Sequence, residues 1–421
     1  MPRILLLMPS TTYHASDFMA AAGRMQAEVI VATDRDQAVS TPELGRVLPL
    51  PFDDVDESIR RVRELAAERP LTALVPTDDV TAVLAAVLSE ALGLPANPPE
   101  AARATRGKDV LRRRTRDAGL RTPRFRSFPL GTDPASAAGE VGYPCVLKPT
   151  FLAASRGVIR ADDPPAFARA FRRIRRLLSR PELRREEASS TILVEDFVPG
   201  PEVALEGLVR RSRLETLALF DKPDPLDGPF FQETIYVTPS RLPDPVQVAL
   251  REEAEAAARV IGLVEGPVHA ELRLSPAGPV LIDLGARMIG GLCPRTLRFG
   301  TGLSLEEVIL QHALDRDVPP PPRECAAAGV LMIPIPAAGI LREVQGVEAA
   351  RHLPGVVEVD VTIPPGNPVA PPPEGDRYLG FAFARAETAA KVEAILRRAQ
   401  DLLRPVVEAD GDQSSAEVGS G

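Results

Sequence analysis

Two acids stand in the stretch HAELRLSPAGPVLIDLGARM, His269 to Met288, each inside a strand-like apolar run. The turn signal SPAGP separates the runs, so the pattern predicts an antiparallel hairpin centred on Ala277. Pairing about that centre sets Glu271 opposite Asp283. Period-two alternation then puts His269, Glu271, Arg273, Leu281, Asp283, Gly285 and Arg287 on one face, and Val268, Ala270, Leu272, Val280, Ile282 and Leu284 on the other. Directly opposed residues have Cβ atoms about 5 Å apart, and like charges so placed destabilise a sheet. A cation between them reverses that sign. Two carboxylates with no cysteine and a single nearby histidine suit a hard, oxygen-ligated ion, and Mg2+ commonly takes one or two carboxylates together with substrate phosphates. The alternative is a salt-bridge cluster in which Arg273 and Arg287 neutralise both acids. The hairpin alone leaves both readings open.

A metal-nucleotide site also needs cations for the phosphates, and Lys108 and Lys148 stand where they can supply them. Lys148 ends a strand expected over 143–148 and leads into PTFLAASRGV, a run of small residues whose N–H groups suit phosphate oxygens. That loop has neither Walker spacing nor GxGxxG, and Gly157 is its one glycine. In ILVEDFVPGPEVALEG an apolar strand runs into a turn and then Glu202, a carboxylate suited to ribose hydroxyls. For substrate, DKPDPLDGPFFQETIYVTPS offers Lys222, Glu233 and Tyr236 to a zwitterion, with Glu233 pairing an ammonium and Phe230 or Phe231 lining a side-chain pocket. The bland reading of this stretch is a loop held by a salt bridge. GLCPRTLRFG adds Arg295 and Arg298 for a carboxylate or phosphate, Arg298 also suiting a structural role, and His269 reads as a satisfied strand histidine before it reads as a base.

These residues need several elements to position them. A chain of 421 residues exceeds one ordinary core and suits two to four domains. Alternating strands (4–8, 28–32, 73–76) and helices (17–26, 56–68) predict a parallel α/β domain over residues 1–100, closed by a helix ending at Gly93. Residues 101–322 read as α+β with antiparallel pairing, and 323–405 as a small α+β unit after the proline run VPPPPRE. The polar tail 406–421 is expected to be disordered. The segment ARAFRRIRRLLSRPELRREE carries apolar residues at helical spacing with its arginines, through Arg184 and Arg185, on a solvated face, the alternative being a patch for RNA or another anionic partner, for which no interleaved aromatics offer stacking. A net charge of −8 argues against nucleic acid as a partner. Cys145, Cys293 and Cys325 are too scattered for a disulfide framework or zinc. No window has the roughly 18 apolar residues of a membrane span, and the short apolar start suits a buried strand rather than a signal peptide, so the expected location is cytoplasmic.

The ordered set of Lys108, Lys148 with SRGV, VEDFVPGPE, Glu271 and IDLGAR resembles the ATP-grasp superfamily, and the stretch from IPIPAAGILREV to RYLGFAFARA is similar to the C-terminal unit of bacterial L-amino-acid ligases. The resemblance covers roughly residues 1–405. It implies an α/β and α+β multidomain fold, with a parallel α/β domain, the two ATP-grasp subdomains, and a small C-terminal domain. It implies that Lys108 and Lys148 bind ATP phosphates, that Ser155, Arg156 and Gly157 belong to a loop covering them, and that Glu195 and the backbone near Asp196 and Val198 meet adenine. Glu202 would meet ribose, Glu271 and Asp283 would hold Mg2+, and Arg287 would clamp the reacting groups. Departures are Asp283 for the usual second Glu, Gly285 for a common Asn ligand, Gly107 before the first lysine, and the glycine-poor loop. The implied activity is ATP-dependent ligation of a small carboxylate to an amine through an acyl phosphate, with amino-acid substrates and a homodimer as family expectations. The rivals are a carboxylase or kinase-like relative and a silent nucleotide-binding protein. No MKM-like carrier segment supports a biotin route.

Overall fold

The computed structural model describes all residues except 11, 26, 35–45, 184–189, 316–317 and 410–421. The first unit runs β1 (Arg3–Leu7), α1 (Ala15–Arg24), β2 (Glu28–Thr33), β3 (Arg46–Pro49), α2 (Val55–Glu68), β4 (Ala73–Pro76) and α3 (Asp79–Leu92). Its strands form a parallel sheet in the order β3-β2-β1-β4. β1 is buried on both faces, which is why its sequence is continuously apolar. Gly93 ends α3 in the left-handed conformation, as the sequence leads one to expect. The edge strand β3 is an addition to the expected set; at four residues it is too short to carry a periodic signal.

Next come α4 (Pro99–Arg106), α5 (Lys108–Asp117), β5 (Phe125–Pro129), α6 (Pro134–Ala138), β6 (Cys145–Pro149), β7 (Ile159–Ala161), α7 (Pro164–Leu178) and β8 (Thr191–Asp196). β5-β8-β6-β7 form an antiparallel sheet. α7 is the arginine-rich helix. Asp163 caps it by accepting from the Ala166 N–H, and its buried face holds Phe167, Phe171, Ile174, Leu177 and Leu178. Arg184 and Arg185 lie outside the described residues.

β9 (Glu202–Arg210), β10 (Arg213–Asp221), β11 (Ile235–Thr238), α8 (Asp244–Ile261), β12 (Glu265–Ser275), β13 (Gly278–Gly285) and α9 (Leu305–Leu314) follow. The C-terminal elements are β14 (Ala327–Ile333), β15 (Gly339–Gln345), α10 (Val347–Arg351), β16 (Val356–Val361), β17 (Pro368–Val369), β18 (Gly380–Ala386), α11 (Ala389–Leu402) and β19 (Arg404–Glu408). The unit expected after residue 323 is joined to the preceding one through a shared sheet. β14, β18 and β16 continue the same sheet, in the order β13-β12-β9-β10-β11-β14-β18-β16, because β11 pairs with β14 over four residues. The expected disordered tail also starts too early: β19 reaches Glu408 and pairs with β15, while 410–421 lie outside the described residues.

The β12–β13 hairpin shows how the acids come to face each other. Glu271 does pair with Asp283, but nearer the turn the register is Leu272 with Leu281 and Ser275 with Gly278. A bulge at Ile282 absorbs the difference. The tight turn and the bulge offset one another, so the simple centre at Ala277 lands on the correct acid pair. Residues between bulge and turn change faces. Leu281, expected on the polar face, is 1% exposed and packs with Leu272, Leu284 and Ala270, whereas Ile282 looks into a cavity. Leu281→Ala is therefore expected to cost about 3 kcal/mol and Ile282→Ala about 1 kcal/mol, measured by urea denaturation; unbulged alternation would reverse that order.

Candidate active site

The polar face of the long sheet is built from rows of opposed residues. β12 pairs with β9 so that Glu206 faces His269, Ala204 faces Glu271 and Glu202 faces Arg273, and β13 adds Asp283 beside Glu271 and Gly285 beside His269. The rows form one wall of a cavity of about 620 Å³. Opposite walls come from the loops after β1 and β4, the start of α5, the ends of β6 and β8, and residues 376–378. The loops after β1 and β4 follow adjacent parallel strands at their carboxyl ends, the ordinary place for a ligand in such a sheet.

Lys222 is the electrostatic centre. Its side chain is 3% exposed, and its ammonium lies 2.7 Å from Glu202, 2.6 Å from Glu233 and 3.0 Å from Glu271. Burial alone would drive its proton off; the three carboxylates hold it, and its pKa rises well above the usual value. Glu271 is pushed up by burial, but Lys222 and His269 overcome this and hold it well below the usual carboxylate range. Asp283 behaves similarly. Burial raises it, Lys108 at 2.6 Å lowers it further, and the net shift is downward. Both acids are thus ionised oxygen donors, opposed in register and facing the cavity, a donor set that fits a divalent cation. Their neutralisers are Lys222 and Lys108. Arg273 pairs instead with Glu202 at 3.0 Å and Arg287 with Asp79 at 3.0 Å, so the alternative, a cluster in which these two arginines neutralise the acids, does not form.

His269 is bonded to Glu206 at 2.5 Å, the satisfied strand histidine the sequence suggests. Burial favours its neutral form, yet Glu206 and Glu271 hold the proton and raise its pKa to about 9. Gly285 is crowded from another domain: a Cβ there would stand 3.2 Å from Asp79 Oδ1, so Asp79 occupies the room a side chain would need.

Lys148 lies 2.6 Å from Glu195, which also accepts from Arg112 at 2.6 Å. Glu195 is 3% exposed, and its carboxylate positions these cations. Val198 carbonyl accepts from Arg273 at 2.7 Å, and the Asp196 carboxylate pairs with Arg124 at 2.6 Å on the outer side. Glu202 has both oxygens engaged, one by Lys222 and the other by Arg273. In the loop after β6, Ala154 and Ser155 take positive φ (53° and 55°), and a Cβ at Gly157 would stand 2.6 Å from Pro149 Cγ. Few glycines therefore suffice to turn this loop. The Gly157 N–H donates to Pro373 O at 2.8 Å, so it is not open to a phosphate here.

Most of the expected residues converge on the cavity: Lys108, Lys148, Ser155, Arg156, Glu195, Asp196, Val198, Glu202, Glu233, Tyr236, Glu271, Asp283 and Arg287 all line it. Phe231 lines it as well, while Phe230 packs under Arg173 on the β5–β8 sheet unit. Arg295 does not. It is a cross-tie, 2.9 Å from Asp17 of α1 and from Glu358 of β16 and 3.3 Å from Asp360 of β16, because these three acids outcompete any role at the site. Arg298 donates to the Arg295 and Leu297 carbonyls, the structural role. Sequence reasoning missed Asp78, Asp79, Arg112 and Glu206. Asp78 and Asp79 follow a parallel strand at its carboxyl end, and Glu206 shares the period-two face of Glu202, so those signals were present.

Residues 19–96 match the model of an ATP-grasp N-terminal domain, 141–296 that of an ATP-grasp domain, and 331–408 that of L-amino acid ligase C-terminal domain 2. The chain belongs to the ATP-grasp superfamily. The crystal structure of L-amino acid ligase from Bacillus licheniformis resembles this ATP-grasp chain with a TM-score of 0.85 and 26% identity, over 97% of this chain and 99% of that one. Alanine–anticapsin ligase of Bacillus subtilis is 26% identical over 286 residues, 64% of this chain and 59% of that one. Carnosine synthase 1 of Gallus gallus is 30% identical over 310 residues, 68% of this chain and 33% of that one. By these likenesses the ATP-grasp chain is a carbon–nitrogen ligase. Among the described residues no helix is long and apolar enough to cross a membrane.

Two tests follow from the charges. Lys222→Met leaves Glu202, Glu233 and Glu271 buried without their shared cation. Unfolding free energy at pH 8 should fall by about 3–5 kcal/mol, and the loss should shrink toward pH 5 as the carboxylates take up protons. Asp78 is pushed up to about 7, first by burial and then by the Asp79 charge. An acid with a raised folded pKa is protonated when folded and ionised when unfolded, so stability falls as pH rises from about 4 to about 7. Asp78→Asn should abolish that slope and exceed the wild type in stability at pH 8, read from urea curves at pH 5 and pH 8.

Proposed function

We propose that the protein joins the carboxylate of one amino acid to the amine of a second small molecule, using ATP and Mg2+ and releasing ADP and phosphate. The observation that carries this reading is the pair Glu271 and Asp283, opposed in the sheet and held ionised by lysines in a cavity that Lys108, Lys148 and Arg287 also line. Glu271 and Asp283 would hold the magnesium, which when bound supplies charge neutralisation at the phosphates.

A substrate carboxylate oxygen attacks the γ-phosphorus, the bond to the β-phosphate oxygen breaks, and ADP leaves. That transfer depends on alignment and cationic surroundings more than on acid–base chemistry. Lys148, fixed by Glu195, meets the phosphates, and Arg287, fixed by Asp79, meets the reacting groups. The amine then attacks the acyl carbon, phosphate departs with its bonding electrons, and the amide forms once the amine gives up its proton. Arg287 offsets the negative charge of the tetrahedral intermediate. Glu233, bonded to Lys222 and to the hydroxyls of Tyr236 and Tyr378, is the acceptor for the ammonium of the carboxylate-donating amino acid. Ser155 and Arg156 belong to the loop beside the phosphates.

Incubation with ATP, Mg2+ and pooled L-amino acids should release ADP and give a ligated product by mass spectrometry. Glu271→Gln or Asp283→Asn should lower the rate by roughly a hundredfold or more. ADP release that needs no amine, or that survives both substitutions, would sink the reading.

A further inference from the structure

The segment Pro373–Tyr378 leaves the C-terminal elements and is held from several sides. Pro373 O accepts from Gly157 at 2.8 Å, Glu374 O accepts from Arg156 at 3.1 Å, and the Glu374 carboxylate takes two bonds from Arg173 at 2.6 and 2.7 Å. Asp376 pairs with Arg156 at 3.0 Å, and Tyr378 donates to Glu233 at 3.3 Å. Between the last two anchors Arg377 lines the cavity. Of the other cations at or beside the cavity, Lys108, Lys148, Lys222, Arg156, Arg273 and Arg287 each pair with a carboxylate. Arg377 has no ion pair among the described residues.

Facing it are groups with unused hydrogen-bonding capacity. Tyr13 and Tyr378 both pack edge-on against Phe381, at 5.6 and 6.0 Å between ring centres, which brings the loop before α1 up to Arg377. The Tyr13 hydroxyl is buried beside the Arg377 guanidinium without a well-formed hydrogen bond, and Nδ1 of His14, a residue only 3% exposed, has no partner among the described residues. Both side chains line the cavity, and His14 is the N-cap of α1 without making a side-chain cap, so the positive end of that helix lies at the same wall. Asp17, in its first turn, is turned to Arg295. Asp78 adds a carboxyl to this wall, but burial and Asp79 push it up to about 7, which weakens its repulsion of an anion.

We propose that Arg377, Tyr13 and His14 form a carboxylate subsite that receives the unreacting carboxylate of the amine-donating substrate, which is therefore a free amino acid or similar zwitterion. The proposal rests on the ligase reading. A zwitterionic donor brings a carboxylate that takes no part in the chemistry, and enclosing it unpaired is costly. A guanidinium, a hydroxyl and an imidazole supply a charge-assisted partner and neutral hydrogen bonds. Tyr378, the neighbour of Arg377 in the chain, donates to Glu233, the group that holds the other substrate.

The test compares each proteinogenic L-amino acid with its own carboxamide as amine donor, in wild type, Arg377→Gln, Arg377→Lys and Tyr13→Phe. Wild type should prefer the free amino acid by about tenfold or more in KM. Arg377→Gln should raise KM for the free amino acid by about that factor and leave the carboxamide within about twofold, with Arg377→Lys intermediate and Tyr13→Phe about threefold. KM for ATP and the melting temperature report whether the fold is intact. Ligation with no preference between the two donors in wild type, or an equal rise for both in Arg377→Gln, overturns the subsite and leaves the ligase reading standing. Absence of ligated product with every donor in wild type overturns the ligase reading and the subsite with it.

Discussion

One buried ammonium sets the terms for the site. Lys222 satisfies Glu202, Glu233 and Glu271 together, and those four residues come from the start of β9, the end of β10, the lead into β11, and β12. A carboxylate taken from water into a protein interior loses several kcal/mol of solvation unless a cation and hydrogen bonds replace it. The strand order β12-β9-β10-β11 is what allows one lysine to serve three acids. The cluster still carries excess negative charge, and Glu271 and Asp283 remain directed to the cavity, where a divalent ion finds ionised oxygens. Binding chemistry here depends on a charge balance that the apolar core alone does not supply.

The same economy of charge ties the units together. Arg287 reaches from beyond β13 to Asp79 of the first unit, Arg156 and Arg173 reach to the 373–376 segment, and Arg295 joins α1 to β16. The Arg287 and Arg156 contacts orient side chains that line the cavity. The C-terminal elements are accordingly part of the site: their strands extend the central sheet, and Tyr378 and Arg377 close one wall. Partly exposed pairs of this kind contribute little stability singly, so their main effect is to fix geometry.

Much of the fold and site is legible in the sequence. The parallel first unit, the amphipathic α7, the hairpin and the opposition of Glu271 to Asp283 all follow from periodicity and turn residues. What failed was information about partners. Leu281 was placed on the wrong face because a one-residue bulge leaves no mark on an alternating pattern. Arg295 looked like a free cation because its three acids lie far away in sequence. Nothing local reveals that Lys222 and Arg273 hold Glu202, or that Arg112 and Lys148 hold Glu195.

The sequence by itself determined the elements, the family resemblance and which residues could carry charge at the site, since these depend on spacing along the chain. Only the tertiary structure decided which cation neutralises which acid, that Asp79 fills the space over Gly285, and that a cationic wall from the C-terminal elements meets Tyr13 and His14. The reason is physical: electrostatic and hydrogen-bond partners are chosen by distance in space, and distance between remote segments is set only when the sheets and helices pack.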